Sequence, residues 1–151
     1  MLGNAENLEL IFSTGNYLAM FAWIILIFLP RSIRLLNLIP SLVIPLLLSL
    51  AYGAIIMTSL SQGNGGDFSS LANVKQLFTS DTAVLAGWFH YLAFDLFIGG
   101  VIAKKADDIG ISRFIQAPIL FLTFMLGPIG LFLFYCTYGG LNYFGKNREQ
   151  S

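Results

Sequence analysis

The chain has 151 residues, of which 56% are hydrophobic and only 11% are charged, and its mean hydropathy is +0.76. About 25% of the residues in an ordinary soluble domain are charged, so this composition predicts an integral membrane protein with little mass outside the membrane. The formal net charge is zero and the basic residues are scattered, so we expect no nucleic-acid partner. A single cysteine, Cys136, excludes an internal disulfide.

Four apolar runs are each long enough to cross about 30 Å of hydrocarbon, which takes roughly 20 helical residues. They cover residues 8–29, 38–60, 82–104 and 114–138. The second contains Pro40 and Pro45 near its start, which a membrane helix tolerates. The fourth contains Gly127-Pro128-Ile129-Gly130 near its middle, where we expect a kink because proline removes an N–H group and glycine permits a bend.

A polar stretch, residues 61–81, separates the second run from the third. Its apolar residues recur at helical spacing and predict a short helix lying in the membrane interface, with a lid over a cavity as the alternative: Phe68, Leu71, Val74, Leu77 and Phe78. The predicted fold class is therefore an all-α integral membrane protein. It has one domain over residues 1–151, with four transmembrane helices and a short interfacial helix between helices 2 and 3.

The basic residues predict the orientation, because cytoplasmic loops carry an excess of lysine and arginine. With the N-terminus outside, five basic residues face the cytoplasm: Arg31, Arg34, Lys104, Lys105 and Arg113. Lys75, Lys146 and Arg148 then face the other side. Four crossings place both termini on the non-cytoplasmic side.

The third run contains the only histidine, His90, and an isolated acid, Asp95. An acid at the centre of a membrane helix costs about 2.5 to 3.5 kcal/mol on an insertion scale, and such acids usually serve a function. At 100° per residue the two side chains point roughly 140° apart. Asp95 shares its side of the helix with Trp88, Tyr91, Leu92 and Gly99, and His90 shares the other with Ala83, Phe94, Phe97 and Val101.

The structural alternative is a hydrogen bond from His90 to a neighbouring helix and a buried, protonated, hydrogen-bonded Asp95. A metal site is not expected, because one histidine leaves most ligands to Asp95, Asp107 and Asp108, which have no metal-motif spacing. Asp107 and Asp108, beside Lys104 and Lys105, read most simply as a solvated helix end, with a lipid headgroup site as the alternative.

Two stretches carry a family resemblance. Residues 88–99 read Trp-Phe-His-Tyr-Leu-Ala-Phe-Asp-Leu-Phe-Ile-Gly, followed by Asp107 or Asp108 and Gly110-Ile111, and residues 121–131 read Phe-Leu-Thr-Phe-Met-Leu-Gly-Pro-Ile-Gly-Leu. Both resemble motifs of the plant neoxanthin-synthase family, the abscisic-acid-deficiency membrane proteins, and its bacterial relatives. The regions of Asn16, Trp23 and Arg31 are compatible, so the likeness covers most of the chain. Gly100 departs from the basic residue expected in many members, which would indicate a different substrate.

The resemblance implies a carotenoid-handling protein of a bacterial inner membrane or a thylakoid membrane. The implied activity is the cofactor-free isomerisation of an epoxy-carotenoid, violaxanthin, to allenic neoxanthin. Asp95 would donate a proton to the epoxide, His90 would act as base and Tyr91 would orient them. Because His90 and Asp95 diverge, either the site straddles the third helix or only Asp95 takes part in the chemistry. Independently of the resemblance, an apolar cleft with a few polar groups suits a polyene, and the expected substrate-binding residues are Asn16, Trp88, Phe94, Phe97, Gly99 and Phe124.

Two further functions stay open at this stage. The aromatic residues also suit a non-catalytic pigment- or lipid-binding subunit, since ligand pockets are mostly apolar with few polar groups. Proton or ion translocation rests on the buried acid alone.

The expected partners are a carotenoid or another polyene lipid and membrane lipids. A homodimer is also expected, because four helices barely enclose a long ligand.

Overall fold

The computed structural model describes residues 4–61 and 66–149, with side chains to residue 140. This part of the chain contains six helices and no strand, which confirms the all-α prediction. The helices are α1 (Ala5–Phe28), α2 (Arg34–Ser61), α3 (Leu71–Leu77), α4 (Asp81–Asp108), α5 (Arg113–Leu126) and α6 (Pro128–Glu149).

Three helices, α1, α2 and α4, are long and apolar enough to cross a membrane, and they coincide with the first three predicted spans. The chain turns from α1 into α2 around Pro30, which cannot donate to a helical ladder. Within α2, residues Ile39–Val43 are π-helical, and Pro40 is the second residue of this segment. The hydroxyl of Ser80 caps α4 by accepting from the N–H of Ala83.

Helix α4 lies at the centre of the bundle, packed against α1, α2 and α5. Two glycines on α4 allow this close packing. The indole of Trp23, on α1, lies directly over Gly99, and the backbone of Ser41, on α2, would be 2.9 Å from a Cβ atom added to Gly100. The third predicted span therefore forms the core against which the other helices pack.

The fourth predicted span, residues 114–138, does not form one crossing helix. Helix α5 ends at Leu126, Gly127 adopts a φ of +35°, and α6 begins at Pro128. Beyond this point the chain reverses, because Gly130 packs onto the backbone of Thr123, seven residues earlier. Lys105, near the end of α4, lies 5.0 Å from the ring centroid of Tyr138. Helices α5 and α6 therefore form a hairpin whose turn lies beside the middle of α4, and the predicted kink is a complete reversal.

We call the end of the bundle that carries Arg31, Lys105 and Arg113 the inner end, and the end that carries Ala5 and Asp81 the outer end. At the outer end, α3 confirms the predicted short helix. The hydroxyl of Ser70 caps this helix by accepting a hydrogen bond of 3.2 Å from the N–H of Asn73. Residues 62–65, which open the predicted polar stretch, lie outside the described residues. Phe78 follows α3 and contacts α4 at Gly87, so the segment is held against the bundle.

Candidate functional site

A groove runs along α1 from the outer end to the inner end, and we call it the α1 groove. It consists of three adjoining cavities of about 650, 350 and 390 Å³. Trp88 and Tyr91 line both the first and the second cavity, and Met20 and Phe124 line both the second and the third. The lining on α1 extends from Ala5 to Phe28, a helical length of about 35 Å at 1.5 Å per residue. The groove is therefore as long as the hydrocarbon layer is thick.

The outer part of the α1 groove combines aromatic walls with two acids. Glu9 and Asp81 are the charged residues of this cavity, and Tyr91 and Trp88 lie at its deeper side. Its other walls are apolar or backbone: Ala5, Leu8, Phe12, Phe78, Val84, Leu85 and Gly87. The arrangement suits the end of a long molecule that carries a hydroxyl group, because exposed carboxylates accept hydrogen bonds.

In the middle of the α1 groove the polar side chains are bound to one another. The indole N–H of Trp88 donates to the Oδ1 atom of Asn16 at 2.8 Å. The rings of Trp88 and Tyr91 stack with their centroids 5.3 Å apart. Tyr91 also donates to the carbonyl oxygens of Phe124 and Met125, at 3.2 and 3.1 Å. Because Pro128 has no N–H group, the Phe124 carbonyl lacks its helical donor, and Tyr91 replaces that donor.

The inner part of the α1 groove lies between α1 and α5 and is lined by apolar side chains. Its walls are Met20, Trp23, Ile24, Ile27, Phe28, Ala117, Pro118, Phe121 and Phe124. The α1 groove is therefore polar at its outer end and in its middle, and hydrocarbon-like at its inner end.

Asp95 lies behind Tyr91, against the turn of the hairpin. Its Oδ1 atom would be 2.6 Å from a Cβ atom added to Gly127, so only glycine leaves room for the carboxyl group. Its Oδ2 atom is buried and has no hydrogen-bond partner within the described part of the chain. The carboxyl group interacts with the Tyr91 hydroxyl, and it does not line any of the three cavities. Any contact between Asp95 and a guest in the groove thus passes through Tyr91.

His90 lies on the other side of α4. It is exposed, stacks on Phe94 with ring centroids 4.5 Å apart, and meets the edge of Tyr52, on α2, at 5.6 Å. Phe94 and Phe97 line a separate cavity of about 170 Å³ between α2 and α4. Of the predicted site residues, the structure thus brings together Asn16, Trp88, Tyr91 and Phe124, and it separates His90, Phe94 and Phe97 from them.

Gly99, the remaining predicted binding residue, is buried beneath Trp23. It does not line the α1 groove. Its role in the structure is to let α1 approach α4 closely.

A buried polar network at the inner end was missed by the sequence analysis. The Arg31 side chain is 5% exposed and pairs with Asp107 at 2.9 Å. It also donates to the side chain of Gln116 and to the carbonyl of Ala103, both at 2.8 Å. Gln116 in turn donates to Asp107 at 2.8 Å. Asp107, whose side chain is 38% exposed, lies at a solvated helix end as expected, and it also belongs to this network, which the sequence analysis did not predict.

The electrostatics of the network follow from its burial. Desolvation lowers the pKa of the Arg31 guanidinium, and the carboxylate of Asp107 opposes that shift. A second guanidinium, that of Arg113, donates to the carbonyl of Leu29 at 2.9 Å. The one sequence signal for this network was Gln116, a buried amide inside an otherwise apolar run.

No three side chains of histidine, cysteine, aspartate or glutamate come together as a metal site between residues 4 and 61 or between 66 and 140. The polar side-chain groups along the α1 groove are the Tyr91 hydroxyl, the Asn16 amide, the Trp88 N–H and the two outer acids.

The comparison with protein families gives a match that covers most of the chain. A family model described as ABA DEFICIENT 4-like matches residues 10–134, a range that includes most of α1, all of α4 and the turn of the hairpin, and it confirms the resemblance. Neither the curated proteins nor the solved structures provide a match.

Proposed function

Because the chain belongs to the ABA DEFICIENT 4-like family, we propose that it is a carotenoid-binding membrane protein and that the pigment occupies the α1 groove. The observation that carries this proposal is the series of three adjoining cavities, which share lining residues and together extend along the whole of α1. A rigid polyene is a rod about as long as a bilayer is thick, so it fills such a groove without a bend.

The polarity of the groove supports one direction for the guest. The end ring of an oxygenated carotenoid lies in the outer part of the groove beside Tyr91, where the exposed acids Glu9 and Asp81 accept from its hydroxyl group. The polyene lies along the apolar inner part between Trp23 and Phe121. Apolar walls with a few fixed polar groups are typical of small-molecule sites.

The test is the pigment that purifies with the full chain from a carotenoid-making bacterial host. We expect an absorption spectrum with polyene bands and a carotenoid mass. Ala117→Trp, which fills the inner part of the α1 groove, should lower the pigment-to-protein ratio at least about fivefold, since overfilling a packed site costs about 1 to 3 kcal/mol.

Ala54→Trp is the matched control, because Ala54 is exposed on α2 and does not line the α1 groove. It should leave the ratio unchanged. A wild-type protein that purifies without pigment, or an equal loss in both variants, would contradict the proposal.

A second candidate function is the isomerisation of an epoxy-carotenoid, favoured by the unpartnered carboxyl oxygen of Asp95 beside Tyr91. Tyr91 would donate a proton to the epoxide oxygen as the ring C–O bond breaks, and Asp95 would reprotonate Tyr91. Loss of a vinylic proton from the polyene, returned through Tyr91 to Asp95, would form the allene. The substrate gains and loses one proton, so this reaction needs no oxidant or reductant.

His90 as the base requires the polyene to reach the opposite side of α4. The isomerase proposal is therefore tested with two variants and a purified epoxy-carotenoid, with the products separated by chromatography. We expect conversion by the wild type and by His90→Gln, and none by Asp95→Asn, which should still retain pigment. Full conversion by Asp95→Asn, or no conversion by the wild type, would contradict the isomerase proposal, and the pigment-binding proposal would remain.

A further inference from the structure

A cationic cavity lies at the inner end, on the side of α4 that faces α2. Its volume is about 340 Å³, and its walls are Arg34, Asn37, Leu38, Ser41, Gly100, Val101 and Lys104. It is separate from the α1 groove, with which it shares no lining residue. The carotenoid proposal leaves this cavity unused.

The polar side chains of the cavity offer hydrogen-bond donors. The Ser41 hydroxyl donates to the Oδ1 atom of Asn37 at 3.3 Å, which leaves the amide N–H groups of Asn37 available. Arg34 and Lys104 supply a guanidinium and an ammonium group. The only salt bridge in the described part of the chain is that between Arg31 and Asp107, so neither cation is paired with a carboxylate, not even Lys104 with Asp108 one turn further on. Two unpaired cations and an amide donor select an anion.

The position of the cavity identifies the source of that anion. Arg34 is the first residue of α2, and Lys104 follows Ala103 at the end of the apolar part of α4. Both therefore lie where the hydrocarbon layer gives way to the headgroups. Apolar side chains, Leu38 and Val101, form the wall toward the hydrocarbon side, which suits the acyl chains of a lipid.

We propose that this cavity binds the phosphate of an anionic membrane lipid, held by Arg34 and Lys104 with Asn37 as a neutral donor. The π-helical segment of α2 contributes to the site, because it contains Ser41 and lies directly against Gly100. Irregular helical turns of this kind are frequent at functional sites.

The test is native mass spectrometry of the purified full chain with added lipid. We expect phosphatidylglycerol to bind and diacylglycerol, which lacks the phosphate, not to bind. Each of Arg34→Gln and Lys104→Gln should weaken phosphatidylglycerol binding about fivefold, the effect of one basic residue at an anionic surface. Lys104→Arg should retain binding.

Lys105→Gln is the matched control, because it removes the same charge from the next residue, whose ammonium faces the ring of Tyr138 instead of the cavity. It should leave binding unchanged. An equal loss with Lys105→Gln would overturn the proposal in favour of general surface charge. Equal binding of both lipids would overturn it too, as would inorganic phosphate that displaces phosphatidylglycerol at micromolar concentration, which would indicate a site for a free anion.

Discussion

The two ends of the bundle are held together in different ways. At the inner end, the buried side chain of Arg31 reaches α4 and α5 from the end of α1 through an ion pair and several hydrogen bonds. At the outer end, a cavity of about 650 Å³ lies between α1 and α4, and a hydrogen bond from Trp88 to Asn16 joins these two helices on its inner side. The inner end is thus anchored by a network of polar contacts, whereas the outer end contains the cavity into which the proposed guest would fit.

The largest expected effect concerns which end of the bundle carries the C-terminal part of the chain. Because the α5–α6 hairpin brings Tyr138 back to Lys105, we expect reporters fused before Ala5 and after Ser151 to lie on opposite sides of the membrane. The basic residues of the tail, Lys146 and Arg148, then join those of the inner end, which agrees with the positive-inside rule. Reporters on the same side would show that the hairpin does not form in the membrane.

The second prediction concerns a substitution that removes the central residue of the network at the inner end. Arg31→Gln should lower the free energy of unfolding in detergent by about 3 kcal/mol, because the partners of a buried charge are left without a donor. Arg34→Gln removes the same charge from an exposed residue. It should change the free energy of unfolding by less than about 0.5 kcal/mol. If both variants have the same free energy of unfolding, the network does not anchor the inner end.

The third prediction concerns the link between α4 and the turn of the hairpin, midway between the two ends. Tyr91→Phe should lower the free energy of unfolding by about 1 kcal/mol, because the carbonyls of Phe124 and Met125 lose their donor. Tyr52→Phe, on the α2 side of α4, should have a smaller effect. Thermal unfolding followed by circular dichroism measures both, and equal stabilities would show that Tyr91 does not support the hairpin.

Much of the candidate site could be predicted from helical spacing. The 100° rotation per residue separated Trp88 and Tyr91 from His90 and Phe94, and the structure places the two pairs on opposite sides of α4. Spacing could not show which neighbour each side would meet. Phe94 and Phe97 were expected in the same cleft as Trp88, but they face α2, because only the packing of α1 and α2 around α4 decides that.

The inner network was harder to foresee, because its members are far apart in the sequence. Arg31 and Gln116 meet across 85 residues, and neither belongs to a recognisable motif. The same holds for Asp107, whose neighbours along the chain suggested a solvated helix end.

Hydropathy and residue spacing alone determined that this chain is a membrane protein, which three helices are long and apolar enough to cross, and which residues share a side of α4. These follow from local chemistry, since a span must be apolar for about 20 residues and each residue turns the helix by about 100°. Tertiary structure alone decided that the fourth apolar run reverses at Gly127, and that the α1 groove opens on the side of Tyr91. Gly-Pro permits either a bend or a reversal, and the contact of Gly130 with Thr123 selects between them.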